Sequence, residues 1–281
     1  MNKSQKHIRP RSRIFAVIAA AVLGIVSVTC LYIAVSGNDA LRFLFRQKPL
    51  IIAHRGASDT APETTAAAFE AAINAGADGI ELDVQQTADG VLIVFHDLNM
   101  ERITGLDKNV SDVTYEEIQS LDAGSWFAPE FSGAEILTFE EALILLDGRC
   151  FLNIELKNLS PKQNGEKQAA DLILKYDMED KCCVTSFSYD TLKRIKECSE
   201  DIHTGLIMSR ASGYFYDLEA ADAFSIKSMF IKEQTVINAH RCGKEVYAWT
   251  VNTSAEMERL AAIGADHIIT DKPELAKEIL H

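Results

Sequence analysis

The stretch Ala75–Asp97, AGADGIELDVQQTADGVLIVFHD, decides the fold. Its apolar run ends in two carboxylates, Glu81 and Asp83, two residues apart. Alternate residues of a strand share a face, so both acids point the same way. The pattern returns 74 residues later in CFLNIELK, with Glu155 and Lys157. Two further strand ends carry His54-Arg55 (LIIAHRG) and His96-Asp97 (VLIVFHD). An unpaired buried charge is very costly, so apolar strands that aim acids at one spot predict a buried cation site.

Working outward, short apolar runs alternate with helical patterns. Predicted strands are 50–53, 79–85, 91–95, 150–155, 182–186, 203–207, 228–231, 245–250 and 267–269. Predicted helices cover 65–75, 139–146, 166–176, 189–198, 218–223, 234–242 and 254–263. Strands rich in Ile, Val and Leu, each followed by a helix, argue for a parallel sheet. About eight such units in about 230 residues predict an α/β fold of the (β/α)8, TIM-barrel type. A doubly wound open sheet is the alternative, weakened because no Gly-x-Gly-x-x-Gly follows the first strand. The barrel also accounts for polar outliers at the C-terminal ends of strands, the rim where barrel enzymes do chemistry.

Residues 99–137 break the alternation and read as an insertion directly after His96, with a short helix at 115–121 capped by Thr114. Trp126, Phe127 and Phe131 would either cover the mouth or pin the insertion to the barrel.

The chain has 281 residues, 47% hydrophobic and 25% charged, which is globular composition. Charge is uneven. Residues 1–48 hold eight Lys/Arg and one acid, and the remainder holds 20 basic and 40 acidic side chains. So acidic a domain repels nucleic acid. Residues 14–35 form 22 residues without a charge, long enough at about 1.5 Å per residue to cross a hydrocarbon core of about 30 Å. Five basic residues precede it, which predicts residues 1–13 as a cytoplasmic tail, 14–35 as a transmembrane helix, 36–48 as a juxtamembrane linker and 49–281 as an extracytoplasmic barrel. Secretion after signal cleavage is the alternative, although signal h-regions run about 7–15 residues. Six cysteines without repeated spacing read as buried free thiols rather than a disulfide framework or a zinc site.

The quoted pieces resemble the glycerophosphodiester phosphodiesterase family. HRGASDTAPETT from His54, ELDVQQTADGVLIVFHD from Glu81, NIELK from Asn153, SFSYDTL from Ser186, YAWTVN from Tyr247 and GADHIITDKP from Gly264 occur in the family's order. The resemblance implies a barrel with a small insertion after the second histidine. It implies a divalent cation, Mg²⁺ or Ca²⁺, on Glu81, Asp83 and Glu155, and attack by the glycerol hydroxyl next to the phosphate. One departure is visible: the family usually reads Pro-Glu-Asn-Thr where this chain has Pro62-Glu63-Thr64-Thr65.

The chemistry fits these residue types. Carboxylates favour hard cations, which offset the charge of a phosphodiester. Arg55 offers a planar fork to phosphate oxygens and Lys157 a point charge. His54 and His96 would act as the catalytic acid–base pair, their order left open. Glu63 and Trp249 are candidate substrate contacts, and Phe187 a weaker one. Asp97 reads as a loop brace, Asp78 and Asp266 as turn residues, and His203, His240 and His267 as structural.

The expected activity is hydrolysis of a small-molecule or lipid-derived glycerophosphodiester to glycerol 3-phosphate and an alcohol. Alternatives are a lysophospholipase D or teichoic-type polymer phosphodiesterase, a phosphatidylinositol-type phospholipase C, and a non-catalytic barrel that binds without turning over.

Overall fold

A computed structural model describes residues 48–160, 163–210 and 214–281. The expected tail, transmembrane helix and nearly all of the linker lie outside these residues. Among the described residues no helix is long and apolar enough to cross a membrane.

Eight parallel strands close into a barrel. In chain order they are β1 (Leu50–His54), β2 (Gly79–Gln86), β4 (Phe151–Leu156), β5 (Cys182–Ser186), β6 (His203–Met208), β7 (Ala223–Lys227), β8 (Glu245–Trp249) and β9 (His267–Thr270). Closure is direct, since β1 pairs with both β2 and β9. The run 91–95 supplies β3 (Leu92–Val94), which folds back antiparallel on β2 instead of adding a stave to the barrel. The longer helices are α1 (Ala66–Asn74), α4 (Phe139–Leu146), α5 (Gly165–Lys175), α6 (Tyr189–Cys198), α7 (Glu233–Arg241), α8 (Ser254–Ile263) and α9 (Pro273–Leu280). Two single turns, α2 (Glu101–Thr104) and α3 (Tyr115–Ile118), belong to the insertion, and Thr114 caps α3 with a full capping box.

Alternation sorts the strands. In β2, Ile80, Leu82 and Val84 face outward into an apolar layer with Phe69 and Ala72 of α1 and Leu143 of α4. Glu81, Asp83 and Gln85 therefore face the lumen. Deeper in the barrel, Ile52, Cys183, Ala223, Tyr247 and Ile269 form an apolar plug. The insertion builds its own small core from Met100, Ile103, Val110, Val113, Ile118 and Ile136 on Ile93 and Phe95.

Two expectations fail together. The predicted strand at 228–231 is a 3-10 turn, and the predicted helix at 218–223 is absent; the stave is Ala223–Lys227. The reason lies in the turn before it. Asp78, Asp222 and Asp266 each follow an alanine and each precede a stave, and each turns a carboxylate back to an amide of the preceding strand. Asp78 accepts from Ile51 N at 2.8 Å, Asp222 from Thr204 N at 3.0 Å and Asp266 from Val246 N at 2.7 Å. Asp222 thus ends the connection and starts β7. The turn role expected for Asp78 and Asp266 holds for all three.

His203, His240 and His267 lie at this same end of the barrel. His240 Nε2 lies 2.8 Å from Asp266, and the His267 ring stacks on Tyr247 with centroids 3.8 Å apart. The Nε2 atoms of His203 and His267 lie 3.5 Å from Glu245, which holds that carboxyl well below its usual range. Among the described residues the five cysteines are free, but only Cys182 and Cys183 are buried; Cys198 and Cys242 are exposed and Cys150 is intermediate, against the expectation of uniform burial, and Cys30 lies outside the described residues.

Candidate active site

Parallel register assembles the site. It sets Asp83 opposite Glu155 on β4 and Glu81 opposite His54 on β1. The three carboxylates offer oxygens that all lie within 4.8 Å of one another. His54, Arg55, Glu81, Asp83, His96, Glu155, Lys157 and Trp249 line one cleft at the C-terminal rim. Phe187, Thr185, Ile207 and Ser225 are also in its wall.

The loop after β1 has a special backbone. Arg55 (φ 58°) and Gly56 (φ 85°) are both left-handed. A Cβ on Gly56 would sit 2.6 Å from the backbone of Ala68, so only glycine fits. This turn aims the Arg55 amide at Glu81 Oε2 (2.9 Å) and its guanidinium at Glu63 Oε1 (2.8 Å), with Nε 3.7 Å from Asp83. Thr64, the residue that departs from the family pattern, also has positive φ (60°). Its amide donates to Arg55 O at 3.0 Å, so it fixes the same turn.

The electrostatics are those of a cation site. Asp83 is 1% exposed, and Lys157 Nζ lies 2.7 Å from its Oδ1 and 3.4 Å from Glu155. Even so, neither Asp83 oxygen nor Glu155 Oε1 accepts a well-directed hydrogen bond. Burial, reinforced by the Asp83 charge, pushes Glu81 up to about 7 and Glu155 up to about 8. Burial and mutual repulsion of carboxylates are what a hard divalent ion with oxygen ligands relieves, and these three acids could hold one. The donor set fits such an ion.

Each histidine is steered by a carboxylate. His54 Nδ1 lies 2.6 Å from Asp271, which Asn252 (2.5 Å) and Ser58 (3.2 Å) also contact. Burial pulls His54 down, but Glu81 and Asp271 outweigh it and its pKa is raised overall. His96 Nδ1 lies 2.7 Å from Asp97. Burial dominates there and lowers the imidazole. Gln85 clamps this segment, its amide donating to the carbonyls of Phe95, His96 and Asp97 at 2.8, 3.1 and 2.8 Å.

Glu63 stands behind Arg55 rather than in the cleft wall. Its Oε1 takes Arg55 and Arg102, and its Oε2 takes Arg102 again. Trp249 is in the wall, its indole N–H buried without a partner and its ring edge-on to Phe187 (centroids 6.1 Å). Trp126, Phe127 and Phe131 do not line the cleft; they stack edge-to-face on one another at 5.7 and 5.6 Å.

Sequence reading passed over Asp271, Asn252, Gln85 and Arg102. Asp271 carried a usable signal, because it is an acid directly after the last stave, on the rim. Arg102 carried none that strand logic could use.

A (β/α)8 barrel whose rim joins three acids that could hold a cation, two steered imidazoles and a guanidinium–ammonium pair is the frame of an enzyme for a phosphorylated, anionic substrate. The comparisons with known proteins narrow that class. A sequence profile of the glycerophosphoryl diester phosphodiesterase family matches residues 54–275. A glycerophosphodiester phosphodiesterase of Caldanaerobacter subterraneus subsp. tengcongensis is 38% identical over 232 residues, 81% of this chain and 96% of its own. One from Bacillus subtilis is 30% identical over 286 residues, 94% of this chain and 97% of its own. Among solved structures, an Oleispira antarctica phosphodiesterase in complex with the product sn-glycerol-3-phosphate superposes with a TM-score of 0.76 at 28% identity, covering 83% of this chain and 96% of that one. A glycerophosphodiester phosphodiesterase from Agrobacterium tumefaciens gives 0.72 at 29%, covering 82% and 99%. The chain belongs to the glycerophosphoryl diester phosphodiesterase family and is a hydrolase of phosphoric diesters.

Proposed function

We propose that this chain hydrolyses glycerophosphodiesters to sn-glycerol 3-phosphate and an alcohol, with a divalent cation, Mg²⁺ or Ca²⁺, on Glu81, Asp83 and Glu155. One observation carries the reading: three carboxylates, two of them buried and the third half-buried, bring their oxygens within 4.8 Å of one another in the cleft that His54 and His96 also line. The glycerol-3-phosphate complex of the Oleispira antarctica relative supports the product.

When bound, the cation supplies positive charge to a phosphoryl oxygen. The chain's own residues do the rest. Arg55 and Lys157 bind the remaining phosphate oxygens. His96, lowered by burial, is neutral at physiological pH, and Nε2 is its free nitrogen because Nδ1 faces Asp97. It takes the proton of the attacking glycerol hydroxyl as the new P–O bond closes a cyclic phosphate, which a water then opens to glycerol 3-phosphate by the same proton transfers run in reverse. His54, whose Nδ1 faces Asp271, gives a proton to the leaving alkoxide as the old P–O bond breaks. Trp249 and Phe187 form an apolar wall for the carbon skeleton. The uncharged run 14–35 and its basic flank support a single anchor holding the barrel outside the cytoplasm.

The test is release of choline and glycerol 3-phosphate from glycerophosphocholine by the purified chain, with and without EDTA. Turnover is expected, lost on chelation and restored by Mg²⁺ or Ca²⁺. Turnover indifferent to EDTA overturns the cation assignment; no release from any glycerophosphodiester overturns the activity. Protease shaving of intact cells tests the topology, and a protected barrel refutes it.

A further inference from the structure

We propose that Arg102 is a positioning residue for this reaction: one guanidinium, carried by the insertion, holds the Arg55 arm and the His96 arm of the site at once. The proposal rests on the reading above for what those arms do.

Arg102 lies on the single turn α2. Its Nη2 donates to Glu63 Oε1 at 2.7 Å and its Nη1 to Glu63 Oε2 at 3.1 Å. Its Nε donates to Asp97 Oδ2 at 2.6 Å. The same Glu63 Oε1 accepts from Arg55, and the other oxygen of Asp97 faces His96 Nδ1. An unbroken chain, His96–Asp97–Arg102–Glu63–Arg55, therefore spans the mouth, with Arg102 as its central link. Glu63, His96 and Asp97 present ligand atoms within 4.8 Å of one another, spacing that would suit a second ion. The guanidinium occupies that role, and its planar fork matches two carboxylates in a way a spherical ion does not.

Three consequences follow from the geometry. Asp97, paired with Arg102, stays an ionised acceptor, so His96 must donate from Nδ1 and keep Nε2 free to accept a proton. Glu63, with Arg102 on both oxygens, cannot swing away from Arg55. The insertion is tied to the chemistry through one side chain, and Trp126 secures it: its ring lies 5.3 Å from the Arg102 guanidinium carbon, and its N–H donates to Ala123 O at 2.9 Å. The aromatic group read as a cover or a pin thus acts as a brace for Arg102.

The experiment compares Arg102→Gln and Arg102→Lys with the parent full-length chain. Three quantities are read: kcat and KM on glycerophosphocholine, the ¹⁵N imidazole spectrum of His96, and the rise in Tm on adding Mg²⁺ or Ca²⁺. For Arg102→Gln, kcat is expected to fall about 10–100-fold, as small misplacements near reacting groups do. KM rises as Arg55 loosens, and His96 changes from one tautomer, protonated at Nδ1, to a mixture. The cation-induced rise in Tm stays at the parent value, because Arg102 touches none of the three acids proposed to hold the ion. Arg102→Lys, which can reach only one carboxylate well, falls between. Trp126→Leu gives a smaller change of the same kind. Parent-like kcat and KM in Arg102→Gln overturn the proposal, as does an unchanged tautomer signature. Loss of the cation-induced Tm rise in step with activity also overturns it, since that marks general damage. A parent chain with no turnover refutes the proposed function instead, and the tautomer measurement then decides the case of Arg102 alone.

Discussion

Removing the divalent ion should make the barrel less stable as pH rises, and returning it should reverse that trend. In the ion-free fold Glu81 is raised to about 7 and Glu155 to about 8, from an ordinary 4.5. Above about pH 5 the unfolded chain has released both protons while the folded chain keeps them. The folded state binds more protons, so stability falls with rising pH until both groups ionise near pH 7–8. His54, also raised, acts in the same direction: its contribution is complete below 6.5 and is lost as pH rises through its folded value. Each carboxyl sets a ceiling of about 1.4 kcal/mol per pH unit. Because the two neighbouring acids share their protons, a little under one excess proton between them, worth about 1 kcal/mol per unit, is the working figure. For a barrel of this size 1 kcal/mol moves Tm by roughly 2–4 °C. A differential scanning fluorimetry series in chelator should therefore fall by about 2–4 °C per unit from pH 5 to 8. A cation at 100 times its Kd adds about 2.7 kcal/mol, or roughly 5–11 °C. That rise should be large at pH 8 and small at pH 5.5, where up to two protons must be displaced first. A chelated Tm that is flat or climbs between pH 5.5 and 8 refutes this reasoning. So does a cation-induced rise that survives in Glu155→Gln at full size.

Thr64→Asn should stabilise the protein. A β-branched residue at φ 60° bears left-handed strain of about 1–2 kcal/mol that asparagine tolerates better; a Tm gain of roughly 2–4 °C is expected, and a loss rejects the strain argument. Asp271→Asn should slow turnover at least tenfold while leaving the cation-induced Tm rise intact, because it releases His54 without touching the acids; steady-state kinetics beside thermal melts will show whether the two separate. Asp222→Ala should cost about 1–3 kcal/mol by stranding the Thr204 amide and leave kcat unchanged, as it lies at the end of the barrel opposite the cleft; a large fall in kcat would contradict that division. His54→Ala and His96→Ala should each lower kcat by about 10²–10⁴, and a variant with full rate removes that histidine from proton transfer.

Much of this architecture was legible because strand periodicity is a local property. ELD in β2 and ELK at the end of β4 announced inward-facing polar residues, and the rim rule for barrels located them. β7 was misplaced because Ser228–Ile231 is as apolar as the true stave. The Ala-Asp step before Ala223 separates them once it is set beside Ala77-Asp78 and Ala265-Asp266. The supports of the two imidazoles were harder to see. Asp271 meets His54 across 217 residues of chain and Arg102 meets Glu63 across 39, and no sequence period encodes either contact. Residue types suggested what the site could do, whereas its bracing emerged only from tertiary geometry.

The three aspartate clasps sit at one end of the staves and every reactive group sits at the other. Mutational load is therefore unequal between the two ends. A laboratory could randomise Phe187, Ile207 and Trp249 to retune which alcohol is accepted, and draw on a reserve of stability anchored far from the altered wall. The reverse experiment, diversifying the clasps, should yield mostly insoluble protein and no new preference for substrate.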